Sequence, residues 1–217
     1  MTLEPDYGET LASAEEAEAL TPEAREILGT PIRKADLYDL EQGIQDEVAD
    51  EWWGTLLNGN VPVRDLLDDQ FVRELHRRLF APIWVWGGRQ RSRETNIGVA
   101  PERIAVDLRI ALDNLVHQWE SPGGMTARTL GIAAHAEIVR IHPFVDGNGR
   151  VTRLLADLVF LAAQSGWEPL QAYDWGIDRR AYLRLLGDYD RMRDPAALAQ
   201  FIPVISIEEE PSPGAPG

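Results

Sequence analysis

The sequence predicts an all-α protein with one small β element, on three observations. Apolar residues recur at steps of three and four through most of the 217 residues, the period of a helix with one buried face. Clusters of Gly, Pro and Asn cut that pattern into pieces of helix length. Only residues 81–99, APIWVWGGRQRSRETNIGV, carry aromatic, Gly and polar residues with no helical period.

In chain order, residues 1–33 read as a loosely structured acidic arm with turns at Thr21-Pro22 and Gly29-Thr30-Pro31. One short helix is expected there over 13–20, with Ser13 as N-cap and Glu16 at capping-box spacing. A long helix over 36–57 follows from Leu37, Leu40, Ile44, Val48 and Trp52, and Asn58-Gly59-Asn60 ends it. Phe71, Leu75 and Leu79 predict a helix over 68–80; residues 93–99 suggest a short hairpin or extended flap. Ile104, Leu108, Leu112 and Leu115 mark a helix over 101–119, and Ser121-Pro122-Gly123-Gly124 separates it from one over 126–141. A helix over 148–165 turns Leu154, Leu155, Leu158 and Leu161 inward, and helices over 179–190 and 195–204 complete the set. Residues 205–217 read as a disordered, acidic, Pro-rich tail.

Composition narrows the function. With no Cys, the chain has no disulfide framework, thiolate zinc site or thiol nucleophile. The formal charge of -15 disfavours general nucleic-acid binding. Its location matters more: residues 1–51 and the tail carry the whole surplus, and residues 52–206 sum to zero. The sequence has one Lys, Lys34, so nearly every cation is an Arg. No apolar run reaches membrane-spanning length and the N-terminal residues lack a secretion signal, so no membrane contact and a cytoplasmic location are expected. His76, His117 and His135 have no metal spacing and read as structural; Trp84 and Trp86 read as support for the core or flap.

One segment carries chemistry: His142-Pro143-Phe144-Val145-Asp146-Gly147-Asn148-Gly149-Arg150-Val151-Thr152-Arg153. Gly147, Asn148 and Gly149 can turn backbone N–H groups inward as an anion nest where a helix begins. Arg150 and Arg153, three apart, offer forked donors to phosphate. Asp146 can hold a hard cation such as Mg²⁺, and His142 can take a proton from an attacking hydroxyl. Base, metal carboxylate, nest and two Arg describe phosphoryl or nucleotidyl transfer.

These residues match without departure the core motif of the Fic (filamentation induced by cAMP) family, and the resemblance extends over about 35–204. Leu75-His76-Arg77-Arg78-Leu79-Phe80, Trp84-x-Trp86 and Arg93-Glu94-Thr95-Asn96-Ile97-Gly98-Val99 resemble the family's upstream helix and flap. Arg180-Ala181-Tyr182-Leu183 and Asp194-Pro195-Ala196-Ala197-Leu198 resemble its later helices; the mobile mystery protein B group looks nearest. The resemblance implies a Fic fold, a helical bundle with a small β-hairpin flap near the active site, in a catalytic domain over 34–204. It implies transfer of AMP from ATP, with Mg²⁺, to a Ser, Thr or Tyr hydroxyl of a target protein, autoAMPylation and a homo-oligomer being further options. His142 would be the general base, Asp146 the Mg²⁺ ligand, Gly147, Asn148 and Gly149 the anion hole, and Arg150 and Arg153 the β- and γ-phosphate contacts. Thr95, Asn96, Ile97 and Gly98 would dock the target as an added strand.

Many relatives restrain themselves with a helix of pattern [S/T]-x-x-x-E-[G/N], whose Glu pairs with the second motif Arg. No match to it exists in the sequence; Glu18 in the arm is the nearest by placement and Glu41 the second candidate. The expectation taken forward is that the acidic arm brings Glu18 onto Arg153. The alternatives are a self-restrained, non-catalytic interaction or antitoxin-type module, and a Doc-like protein kinase using the same site.

Overall fold

The computed structural model describes residues 10–59, 61–164 and 169–207. Ten α-helices lie among them: α1 (Ala14–Ala19), α2 (Pro22–Leu28), α3 (Lys34–Asn58), α4 (Val63–Leu66), α5 (Asp69–Phe80), α6 (Ile104–Glu120), α7 (Ala127–Ile141), α8 (Asn148–Ala163), α9 (Arg179–Met192) and α10 (Ala196–Phe201). Two three-residue strands, β1 (Gln171–Tyr173) and β2 (Val204–Ser206), pair antiparallel with Ala172 opposite Ile205. No described helix is long and apolar enough to cross a membrane.

The expected all-α class with a small β element holds, and the centre of the molecule is the α7–α8 hairpin. Helix α7 is buried almost all round because its two faces feed two cores. Leu130, Ala134, Ile138 and Ile141 face a large cluster with α3, α4, α5, α6 and α8. Ile132 and Ala136 face a smaller one built with Phe160, Tyr173, Tyr189, Leu198 and Ile202. Thr126 starts α7 by accepting the Thr129 N–H at 3.2 Å. The six residues 142–147 that join α7 to α8 hold the first half of the chemical motif and the first turns of α8 the rest, so two buried helices fix both ends of that loop.

Three expectations need correction. The small sheet does not lie in the flap: residues 93–99 carry bends and no strand, and β1 packs on α8 with β2 paired beside it. The segment's ends are tied down by isolated bonds rather than by a hairpin ladder, including the Gln90–Phe144 bridge. The arm is not loose over its described part. Leu20 and Ala24 are each 1% exposed, and the Thr21 and Val85 N–H groups bond the Ile83 and Ala19 carbonyls at 2.8 and 2.9 Å. Burying one Leu stabilises by roughly 1.5–3 kcal/mol, which is reason enough for the arm to dock. The capping box is present, Ser13 and Glu16 exchanging bonds of 2.7 and 3.1 Å. Helix α2, which the turn signals hid, begins at Pro22 with Thr21 as its cap. At the other end, α10 stops at Phe201 ahead of Pro203, and residues 204–206 form β2 rather than helix or tail. The remainder of the expected tail, 208–217, lies outside the described residues.

Candidate active site

Helix α7 ends at His142, which caps it in a left-handed conformation at φ 54° and ψ 60°. A non-Gly residue held there is strained by about 1–3 kcal/mol, a cost usually met at functional positions. Burial pushes the imidazole below its ordinary pKa and Arg91 adds to that, against the Val139 carbonyl and the Asp146 carboxylate. The ring is therefore neutral at pH 7. Its Nδ1 is buried, which leaves Nε2 as the nitrogen able to accept a proton.

The loop then turns through Phe144, which is fully buried and stacks on His76 with centroids 3.7 Å apart. The Asn148 carboxamide bolts the turn shut, accepting the Phe144 N–H at 3.0 Å and donating to its carbonyl at 2.8 Å. The Asn148 side chain is thus committed, and only its backbone N–H can serve an anion. Gly147 has φ +75°, and a Cβ there would lie 2.5 Å from the Phe80 ring. Its N–H is also committed, donating to Asp146 Oδ1 at 2.6 Å. No side chain caps α8. Its first-turn N–H groups, from Asn148, Gly149 and Arg150, have no intrahelical acceptor and point with the positive dipole end at the loop.

Asp146 is exposed, and its Oδ2 stands 3.8 Å from Arg150. No cluster of three metal-ligating side chains exists among the described residues. An exposed carboxylate beside an anion site fits Mg²⁺, which takes one or two carboxylates and keeps its other positions for phosphate and water. Arg150 lies 4.6 Å over the Phe80 ring and donates to Glu41 Oε2 at 2.6 Å. Among the described residues Arg153 has no ion pair within 4.0 Å, and its charge is felt by His135, Asp157 and Tyr182. Residues 92–98 of the flap are exposed, and Gly98 at φ +95° passes so close that a Cβ would lie 2.6 Å from His142 Cβ.

The structure therefore brings His142, Asp146, Gly147, Asn148, Gly149 and Arg150 to one place with Gly98 of the flap, while Thr95, Asn96 and Ile97 are exposed before it. It does not bring Glu18 to Arg153. Glu18 is exposed on α1, and the docking of Leu20 beside Trp84 fixes that helix. Glu41 does reach the motif, but at Arg150, the first arginine. It is 6% exposed and accepts the Trp84 indole N–H at 2.7 Å.

His76, expected to be structural, braces this loop, a partner that its place in the sequence does not reveal. Its Nδ1 accepts the Gly88 N–H at 2.9 Å, which makes Nε2 the donor to the Asp146 carbonyl at 3.0 Å. Only neutral imidazole can do both, and burial accordingly lowers its pKa to about 4. Burial lowers that of His135 to about 3 and raises that of Asp157 to about 7. The imidazoles favour folding above pH 6.5 and lose that contribution as pH falls toward 4. Asp157 works the other way, its contribution growing as pH falls from 7. Two groups against one leave a net uptake of about one proton on unfolding, on the order of 1 kcal/mol lost between pH 7 and 5. Urea unfolding at the two pH values should show a lower midpoint at pH 5; a flat or rising midpoint would refute the neutral-imidazole assignment.

Known proteins resemble this chain in sequence and in fold. A family model described as Fic/DOC family matches residues 66–160. The protein adenylyltransferase Fic of Drosophila virilis is 33% identical over 102 residues, 46% of this chain. That match spans about a fifth of the relative's length, 21%. Among solved structures, the ADP-bound N-terminal Fic domain of a putative cell filamentation protein from Bartonella quintana superposes with a TM-score of 0.59 at 15% identity. It covers 82% of this chain and 89% of its own. The BepC protein of Bartonella tribocorum with bound AMPPNP gives 0.57 at 15% identity over 80% and 89%.

Proposed function

We propose that the chain, whose residues 66–160 match the Fic/DOC family model, is a protein adenylyltransferase that moves AMP from ATP to a hydroxyl of a target protein. The observation that supports this most is the neutral, strained His142 held beside the uncapped start of α8. A Ser, Thr or Tyr oxygen of the target attacks the α-phosphorus, the bond to the β-phosphate oxygen breaks, and pyrophosphate leaves. The hydroxyl proton passes to His142 Nε2. The first-turn N–H groups of α8 take phosphate oxygens, and Arg150 and Arg153 bind the outer phosphates. Asp146 would hold Mg²⁺, which supplies charge neutralisation on those phosphates. The exposed flap, Thr95 to Gly98, receives the target's main chain. The subgroup proposed is the mobile mystery protein B group, a reading supported by the segments on either side of the motif, Arg93–Val99 and Asp194–Leu198.

Glu41 takes a positioning role in this scheme. It sits on a core helix, fixed by Trp84, and occupies one terminal nitrogen of Arg150. A guanidinium has five N–H donors, so most remain for phosphate while Glu41 and Phe80 fix the plane of the group.

The test uses Mg²⁺ and ATP labelled at either the α- or the γ-phosphate, with the full chain. Label incorporated from the α position is expected. Label from the γ position alone would replace the proposal with a kinase, and no label from either would favour a binding module.

A further inference from the structure

Beyond its charge effect on His142, Arg91 has no part in the scheme above, yet it makes four hydrogen bonds around that residue. It is 4% exposed. Among the described residues it has no carboxylate partner, and all its hydrogen bonds end on main-chain carbonyls. Nε donates to the His142 carbonyl at 2.7 Å and Nη1 to that of Arg93 at 3.0 Å. Nη2 donates to Val99 and, at 3.4 Å, to Ile141. These four carbonyls come from three places: the C-terminus of α7, the start of the flap and its end. The last carbonyls of a helix lack intrahelical partners and carry its negative dipole end. They compensate part of the cost of burying a cation.

The surrounding backbone is built to the same plan. The Arg91 N–H bonds the Pro143 carbonyl at 2.9 Å and the Val99 N–H bonds that of Ile141 at 3.2 Å. A Cβ on Gly98 would lie 2.7 Å from Arg91 Nη2. His142 keeps its strained φ of 54° while its own carbonyl is gripped by Arg91 Nε. A flap without any ladder of its own thus gains its shape from one guanidinium.

We propose that Arg91 is a positioning residue of the transfer site, whose guanidinium locks the flap and the His142 backbone into one unit. The segment that receives a target hydroxyl is thereby held at a fixed distance from the base that deprotonates it. This rests on the transfer reading for the words base and target; the mechanical coupling does not. A planar fork can span carbonyls in three directions, whereas an ammonium is a point charge with three donors on a flexible stem.

Arg91→Lys and Arg91→Gln in the full chain separate these statements. Hydrogen exchange in the absence of nucleotide should show the Val99 amide exchanging about tenfold faster in Arg91→Gln, and less so in Arg91→Lys, with α8 amides unchanged. Binding of Mg–ATP should stay within about twofold, because its donors lie on α8, while autolabelling from α-labelled ATP falls about 10–100-fold. Wild-type exchange at Val99, or wild-type labelling in a variant with loosened exchange, overturns the proposal. So does loss of labelling that merely tracks lost ATP binding and lost α8 protection. Should Arg91→Gln fail to fold, Arg91→Lys carries the same comparison. Should the wild-type chain itself take no label, the transfer reading fails, and exchange alone decides whether Arg91 couples the two segments.

Discussion

Replacing His142 with Asn should cut AMP transfer by about 10²–10⁴-fold, the range that a positioned general base contributes. Asn is the informative replacement because it tolerates the left-handed conformation that this position requires. The backbone geometry at the end of α7 and the Arg91 bond to the residue 142 carbonyl can then survive the loss of the imidazole. Affinity for Mg–ATP should remain within about twofold, since the proposed scheme assigns the phosphates to the start of α8, Arg150 and Arg153. The loss should therefore fall on the turnover rate rather than on the ATP KM. A variant that transfers AMP at the wild-type rate with unchanged folding would remove His142 from the chemistry.

Glu41→Ala is expected to have the largest effect on stability. It leaves the Trp84 indole N–H and one face of Arg150 without their buried acceptor. Truncating one member of such a charged, hydrogen-bonded pair costs about 2–5 kcal/mol when both are desolvated. Arg150 keeps 27% side-chain exposure, so the lower half, about 2–3 kcal/mol, applies. At roughly 2–4 °C per kcal/mol for a chain of this size, the melting temperature should fall by about 4–12 °C. Glu41→Gln keeps an acceptor for Trp84 and isolates the charge. If Glu41 orients Arg150, the Gln variant binds Mg–ATP more weakly and labels more slowly. A gain in labelling would mean that the carboxylate restrains Arg150.

The candidate site was legible wherever its residues are neighbours in the chain. His142, Asp146, the glycines and both arginines stand within twelve positions, and their chemistry follows from residue type and spacing. Partners brought in by folding left no such trace. Glu41 meets Arg150 across 109 positions. Arg91 and His76 bond to main-chain carbonyls, and every residue owns one, so nothing in the sequence marks which will be used. The same distinction explains the fold. Helices α3, α5, α6, α7 and α8 repeat an apolar period over several turns and were found nearly to their ends. Helix α4 has four residues and each strand three, too few to show any period. Of the two shapes expected over 93–99, a hairpin or an extended flap, the hairpin is absent, and the Arg91 side chain that bonds both ends of the segment lies outside it.

The packing of α7 and α8 also separates two quantities that are easily equated: the stretch that a family comparison recognises and the stretch that folds. The recognised stretch is 66–160, and it contains the whole chemical loop. Yet Leu20, Ala24, Leu37 and Val48 close one side of its helices and Tyr173, Tyr189, Leu198 and Ile202 close the other. Cut to its recognised limits, the α7–α8 hairpin would present two bare apolar faces to water. The resemblance is local, but the thermodynamic unit that holds it reaches from the docked arm to the second strand.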